Sequence, residues 1–135
     1  MAHKATLKIE GNKNYDVMEC EYEFIQPVKE NGQPAGHPSC GLIHIVLAAS
    51  DDNNLFLHDW MQNATKHKDG QVIFEVTGDE KPLVKTLQFK RAYCIRLYEY
   101  FNGRIDSQML TKITISAAEI SFGENGNIVF KNDQK

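Results

Sequence analysis

The fold is decided by residues 15–49, which read YDVMECEYEFIQPVKENGQPAGHPSCGLIHIVLAA. From Met18 to Phe24, apolar or aromatic side chains alternate with glutamates, and this period of two predicts a half-buried β-strand. Residues Gly41–Ala49 are apolar at nearly every position and predict a second strand, more deeply buried. We therefore predict strands over Tyr15–Ile25 and Gly41–Ala49, with Met18 on the buried side of the first.

A long loop, Gln26–Ser39, separates these strands and contains three of the four prolines. A connection of about two to five residues would be enough for neighbouring antiparallel strands. The extra length costs little closure entropy, and the prolines reduce the entropy that is lost when the loop becomes ordered. We therefore expect a stiff, projecting loop that contacts a partner.

Alternating apolar residues predict further strands in the rest of the chain. These patterns occur at Ala5–Ile9, Val72–Val76, Leu83–Phe101, Ile113–Phe122 and Asn127–Phe130. The predicted fold is therefore mainly β, with two packed sheets forming a β-barrel-like domain, one flanking α-helix and a long projecting loop. We expect a single domain that comprises residues 1–135.

Two of the strand patterns contain an interruption that predicts a β-bulge. Arg91 interrupts a run of apolar side chains that share one parity: Leu87, Phe89, Tyr93, Ile95 and Leu97. We therefore expect a bend near Lys90–Ala92. The last long pattern changes parity near Ala117–Ala118, which predicts an extra residue there.

One short helix is predicted over Asn53–Asn63. Ser50–Asn53 offers side-chain acceptors for the free N–H groups of a helix N-terminus. Phe56 and Trp60 lie four residues apart and would share one buried face.

Composition excludes several functional classes. The net charge is -3 and the basic residues form no cluster beyond Lys90-Arg91, which argues against nucleic-acid binding. Three cysteines form no evident pair and indicate reduced thiols in a cytoplasmic protein. The N-terminus shows no apolar segment typical of a signal peptide, and no apolar run approaches the ~20 residues of a membrane span.

Candidate metal ligands are sparse. His37 lies three residues before Cys40, but no other histidine or cysteine stands at metal-site spacing. We therefore expect neither a metal nor a cofactor.

A nucleophilic pair would have to join Cys94 or Cys20 to His44 or His58. Both cysteines lie within strand patterns, where a free cysteine is often simply buried, and His44 is interpreted as a core or interface histidine. We expect no catalytic set.

Three glutamates lie on one face of the first long strand. They could form paired carboxylates for acid–base chemistry, a solvated face, or the lining of a wide aqueous channel: Glu19, Glu21 and Glu23. We expect them to face water, because like charges on one face repel far more strongly when buried.

A series of short motifs runs in one order along the chain. They are Ala5-Thr6-Leu7, Tyr15–Phe24, Gln26-Pro27, Glu30–Pro34, Gly41-Leu42-Ile43, Leu57–Met61, Lys85–Phe89, Ala92-Tyr93-Cys94 and Met109–Ala117. With these motifs the whole chain resembles the Hcp family, the tube-forming proteins of the type VI secretion system. It is most similar to the divergent TssD branch of Bacteroidetes.

The resemblance implies a structural protein and not an enzyme. It implies a ring of six subunits with a wide pore, and rings stacked into a tube inside a contractile sheath. The implied partners are further copies of the chain, sheath and spike proteins, and effector proteins in the lumen. Export would occur through the contractile machine, without a signal peptide.

On this resemblance, the loop is expected to join one ring to the next. Its candidate stacking residues are Val28, Lys29, Glu30, Asn31, Gly32, Gln33, Pro34 and His37. The ring itself is expected to close through unblocked edge strands, which invite pairing with a neighbouring subunit.

The alternative function is a monomeric β-barrel that binds a small apolar molecule in its interior. Such a protein would stay a monomer in solution and would need a dry cavity. A measurement of native mass separates the two hypotheses, because only the tube protein should form rings.

Overall fold

The computed structural model describes residues 3–10, 13–36, 39–40, 42–48, 55–77, 83–101, 109–123 and 128–131. Its elements, in chain order, are β1 (His3–Ile9), β2 (Lys13–Glu21), β3 (Phe24–Ile25), β4 (Ser39–Cys40), β5 (Ile43–Leu47), α1 (Phe56–Gln62), β6 (Lys68–Val76), β7 (Leu83–Tyr100), β8 (Leu110–Phe122) and β9 (Ile128–Lys131).

Six strands close into a barrel. The sheet order is β5-β2-β1-β6-β7-β8, each neighbouring pair is antiparallel, and a β5–β8 pairing closes the circle. Strand β9 pairs with the far end of β8, while β3 and β4 form a separate two-stranded ribbon. The expected mainly β, barrel-like fold with one helix is confirmed. Its wall is one sheet that closes on itself.

The barrel interior is filled by the protein's own apolar side chains. The largest side chains that are almost completely buried are Trp60, Phe89, Leu7, Ile43, Ile45, Leu47, Leu87, Ile113, Ile115, Ile120 and Val72. Those on strands occupy the inward positions of a period-two pattern. Trp60 comes from α1, and its indole Nε1–H donates a hydrogen bond to the Ala92 carbonyl at 3.2 Å. This bond fixes the helix against β7.

The first long strand contains a bulge that the sequence pattern did not reveal. The pairing of β2 with β5 shifts register between Val17 and Glu19, and Met18 points outward with 62% of its surface exposed. The prediction that Met18 lies on the buried side is wrong, because one extra residue exchanges the two faces of a strand. The strand also ends at Glu21 and does not continue to Ile25.

The predicted bend near Lys90–Ala92 is confirmed. Arg91 has a left-handed backbone with φ of 49°, and its N–H donates to the Asp69 carboxylate at 2.9 Å. Opposite Lys90 and Arg91, the pairing of β6 with β7 shifts register between Lys68 and Gly70.

The bend changes which side chains of β7 face the core. Ala92 and Cys94 are buried, whereas Tyr93 is only half-buried and Ile95 is 46% exposed. A second register shift, against β8 directly after Cys94, restores the original parity, and Leu97 packs against the core. Tyr93 and Ile95 therefore do not share the inward face of Leu97.

The predicted extra residue near Ala117–Ala118 is not found in the pairing with β7. The two strands keep one register from the Leu87–Phe122 pair to the Cys94–Ile115 pair. The buried face of β8 still changes parity, because Ala117 and Ile120 are both buried. The change occurs opposite Arg91, so that β7 and β8 bend together and neither strand slips against the other.

The helix is shorter than predicted. It spans Phe56–Gln62, and its N-cap residue Leu55 makes no side-chain capping hydrogen bond. The predicted cap at Ser50–Asn53 lies outside the described residues. Leu57 and Trp60 are the buried residues of the helix, so packing against the barrel holds it in place.

Candidate assembly surfaces

The long loop forms a hydrogen-bonded arm, Phe24–Cys40, of which residues 37 and 38 lie outside the described part. Strands β3 and β4 pair at its base. Further out, Val28 and Pro34 form an isolated antiparallel bridge, and Ala35 N–H donates to the Pro27 carbonyl at 2.7 Å. The arm thus has a hairpin-like backbone of its own, and the stiffness expected from its prolines stays a prediction.

The tip of the arm is a tight turn. Lys29 N–H donates to the Gln33 carbonyl at 2.8 Å, and Gly32 N–H donates to the Lys29 carbonyl at 2.9 Å. Gly32 has φ of 86°, a left-handed conformation that favours glycine. The Asn31 side-chain oxygen accepts from Gln33 N–H at 3.1 Å, as an asparagine in a turn commonly does.

A cluster of five aromatic rings anchors the base of the arm. Phe24 stacks on Phe130 of β9 with ring centroids 3.9 Å apart, and it meets Phe122 edge-on at 5.8 Å. Tyr22 contacts Phe24, Phe122 and Phe74 at 5.9, 5.9 and 6.4 Å. No pattern in the sequence reveals this cluster, because its rings come from four separate parts of the chain.

Residues 25–36 of the arm are all exposed. Val28 retains 65% of its accessible surface and Ile25 retains 55%, so the arm presents apolar side chains beside the charges of Lys29 and Glu30. The remaining candidate stacking residue, His37, lies outside the described residues.

The three glutamates of the first strand pattern are exposed in the single chain: Glu19, Glu21 and Glu23. The first two project from β2, and the third follows the end of that strand. Their orientation in an assembly stays a prediction.

The outer face of strands β2, β5, β8 and β7 carries continuous rows of side chains. Glu21 is paired with His44, His44 with Thr114, and Thr114 with Arg96. His44 Nδ1 lies 3.1 Å from the Thr114 hydroxyl oxygen, so these side chains share one face. His44 lies exposed on the outside of the barrel, so it is not a core histidine. Its interpretation as an interface histidine stays a prediction.

Two edges of this four-stranded face have no strand partner among the described residues. Strand β6 pairs with β7 only as far as Ala92, which leaves residues 93–100 of β7 unpaired on that side. Strand β1 pairs with β2 only as far as Val17, which leaves the residues from Met18 to Glu21 unpaired on that side. Closing the barrel therefore does not use up every strand edge.

The candidate catalytic pairs are not brought together. His44 contacts Thr114, while His58 Nε2 lies 2.5 Å from a carboxylate oxygen of Glu99. Burial raises the pKa of the Cys20 and Cys94 thiols to about 11, which keeps them protonated and weakly nucleophilic at neutral pH.

Within the described ranges, no group of three or more His, Cys, Asp or Glu residues is arranged to hold a metal ion. The candidate pair His37 and Cys40 cannot be assessed, because His37 and the side chain of Cys40 are outside the described part. None of the helices described is long and apolar enough to cross a membrane.

Comparison with known proteins identifies related folds. The family described as hemolysin coregulated protein Hcp (TssD) matches residues 1–134. Hcp1 from Flavobacterium johnsoniae is 28% identical, with a TM-score of 0.74 over 96% of this chain and 99% of that chain. The secreted protein Hcp3 from Pseudomonas aeruginosa is 12% identical, with a TM-score of 0.68 over 99% of both chains. No curated protein matches the sequence.

Proposed function

The chain belongs to the Hcp (TssD) family, whose members are structural tube proteins of the type VI secretion system and not enzymes, and we propose that it is a single-domain subunit of a stacked inner tube. The observation that carries this proposal is the family match over residues 1–134. In the proposed assembly, six copies form a ring, rings stack head to tail, and effectors travel in the lumen. The tube acts with sheath and spike proteins and leaves the cytoplasm without a signal peptide.

The two unpaired edges support closure of a ring. Along the outer face, β2, β5, β8 and β7 alternate in direction, so β2 of the next copy would meet β7 antiparallel. Contact between two different edges is heterologous, and such a contact closes into a ring when its rotation is suitable. Backbone groups on both edges would gain hydrogen-bond partners.

The arm supports stacking along the tube axis. Its internal hydrogen bonds and prolines restrict the free arm, so little further entropy is lost when it docks on the next ring. Each contact can be weak, because six contacts between the same two rings act together once the first has formed. The exposed Val28, with Lys29 and Glu30 beside it, provides both apolar and charged contact groups.

Replacing Lys29–Pro34 with a short Gly-Ser turn tests this function. We expect rings of unchanged mass in native mass spectrometry, but no tubes by electron microscopy and no secreted protein. A variant that keeps the arm but removes its charges, Lys29→Gln with Glu30→Gln, separates the loss of the arm from the loss of charge. Tubes formed by the shortened variant would exclude the arm as the stacking element. Loss of rings would assign the arm to the lateral interface, and a wild-type protein that is monomeric at every concentration would contradict the tube function.

A further inference from the structure

The outer four-stranded face carries opposite charges at the two edges that have no strand partner among the described residues. Glu19 and Glu21 project at the β2 edge, whereas Arg96 projects at the β7 edge and Lys112 one strand further in. The register places these residues in two rows across the face: Glu21–His44–Thr114–Arg96 and Glu19–Val46–Lys112–Tyr98. The lining of a small pocket includes His44, Val46, Arg96, Lys112 and Thr114 and so brings the two basic residues close together.

These edge charges do not neutralise one another within one copy. Strands β2 and β7 are separated by three strand spacings, which is roughly 14 Å and well beyond the reach of an ion pair. The ion pairs of the described residues are His58–Glu99 and Lys66–Asp59, and neither uses Glu19, Glu21 or Arg96. Lys112 instead lies 5.6 Å from the ring centroid of Tyr98.

We propose that the acidic β2 edge of one copy binds the basic β7 edge of a second copy, with Glu19 and Glu21 facing Arg96 of that copy across the subunit boundary. This inference rests on the proposed ring. It adds that the charges of the two strand edges determine which edges pair. Glu19 and Glu21 lie about 7 Å apart along β2, so Arg96 meets an acidic side chain even if the register slips by one residue pair.

This charge arrangement selects the ring over a closed dimer. Pairing β2 with β2 would oppose glutamates, and pairing β7 with β7 would oppose Arg96 with itself; like charges directly opposite destabilise a strand pair. Pairing β2 with β7 opposes Glu19 and Glu21 to Arg96 at each subunit boundary and can be repeated around a ring. The glutamates remain at the water-facing side of the sheet, so salt bridges form there without the cost of burying a charge.

A charge-reversal cycle tests the proposal. The variants are Arg96→Glu, Glu19→Arg with Glu21→Arg, and all three changes together. We expect each edge variant to raise the protein concentration at which rings form by at least ~10-fold, because every contact in the ring changes from attraction to repulsion. The combined variant should restore ring formation to near the wild-type concentration.

The control is Glu75→Arg, which makes one of the two Glu→Arg changes of the β2 variant at an exposed position of β6, away from both edges. It should form rings as the wild type does. Arg96→Gln should raise the concentration needed for ring formation by less than Arg96→Glu does. Wild-type ring formation should weaken as salt is raised from 0.05 to 0.5 M, because the Debye length falls from about 14 to 4 Å over this range. Circular dichroism on every variant checks that the barrel is folded.

Unchanged ring formation by Arg96→Glu, or failure of the combined variant to recover, would overturn the proposal while leaving the tube function intact. Both variants are interpreted against wild-type protein that forms rings under the same conditions. A wild-type protein that forms no rings at any concentration contradicts the proposed function and the edge pairing together.

Discussion

Gly70 lies directly opposite Phe89 where β6 begins, and we predict that Gly70→Ala destabilises the barrel. A Cβ atom built at this glycine would lie 2.6 Å from the Lys8 carbonyl oxygen and 2.6 Å from Phe89 Cζ. Both distances are about 1 Å shorter than a comfortable contact of ~3.5–4.0 Å. Neither neighbour can withdraw easily, because Lys8 belongs to the β1 backbone that pairs with β6 and Phe89 is completely buried.

The expected cost follows from two opposing terms. Forcing one methyl group into a packed core costs typically ~1–3 kcal/mol. Replacing glycine with alanine also lowers the conformational entropy of the unfolded chain, which stabilises the folded protein by about 0.4–1 kcal/mol. We therefore expect the free energy of unfolding to fall by roughly 1–2 kcal/mol.

Urea unfolding monitored by the fluorescence of Trp60, the single tryptophan, measures this change. All variants must be compared at equal protein concentration, because assembly adds to apparent stability. Gly36→Ala is the matched control: its nearest atoms would be Pro27 ring carbons at 3.7 and 3.9 Å, which are ordinary contacts. We expect that variant to stay within about 0.5 kcal/mol of the wild type.

A second comparison isolates the clash with the ring. In a Phe89→Leu background the Cζ contact is removed, so adding Gly70→Ala should cost less than it does in the wild type. The packing argument would be refuted if Gly70→Ala had the same free energy of unfolding as the wild type. It would also be refuted if Gly36→Ala lost as much free energy of unfolding as Gly70→Ala.

Four further outcomes are expected from individual side chains. Glu23→Gln should change stability by less than about 0.5 kcal/mol in urea unfolding, and a loss of several kcal/mol would mean that this side chain is buried on assembly. Because the pKa of Cys20 and Cys94 is raised to about 11, iodoacetamide should label the folded thiols slowly at pH 8. Since the unfolded thiols lose their protons first, near their ordinary pKa of 9.0, stability should fall as pH rises from there towards 11. A rise in stability over that interval would contradict the raised pKa. Trp60→Phe leaves the Ala92 carbonyl without its indole donor and should cost about 1–3 kcal/mol in a thermal or chemical melt followed by circular dichroism.

Local sequence patterns predicted the elements that depend on neighbouring residues. Period-two alternation revealed the main strands, and the prolines together with Asn31-Gly32 indicated a stiff arm with a turn at its tip. The break at Arg91 was also visible, because a charged residue stands where an inward-facing apolar one is expected. Each of these signals depends on residues that are close in sequence, and local backbone preference is sufficient to express it.

Other features depended on contacts between distant strands. The bulge at Met18 became visible only against β5, and the shared bend of β7 and β8 required both strands to be paired. The aromatic cluster beneath the arm combines rings from β3, β6, β8 and β9 with Tyr22. No local pattern contains these relationships, because many pairings bury similar apolar area.

The sequence by itself therefore determined a mainly β chain with one helix and a stiff arm, and its motifs indicated the family. Only the tertiary structure decided which side of each bulged strand faces the core, where the barrel closes and which strand edges lack a partner among the described residues. The physical reason is that alternation specifies two faces of a strand but not its register, and one extra residue exchanges those faces. Register is set by the packing of all six strands around one core, which is a property of the whole barrel.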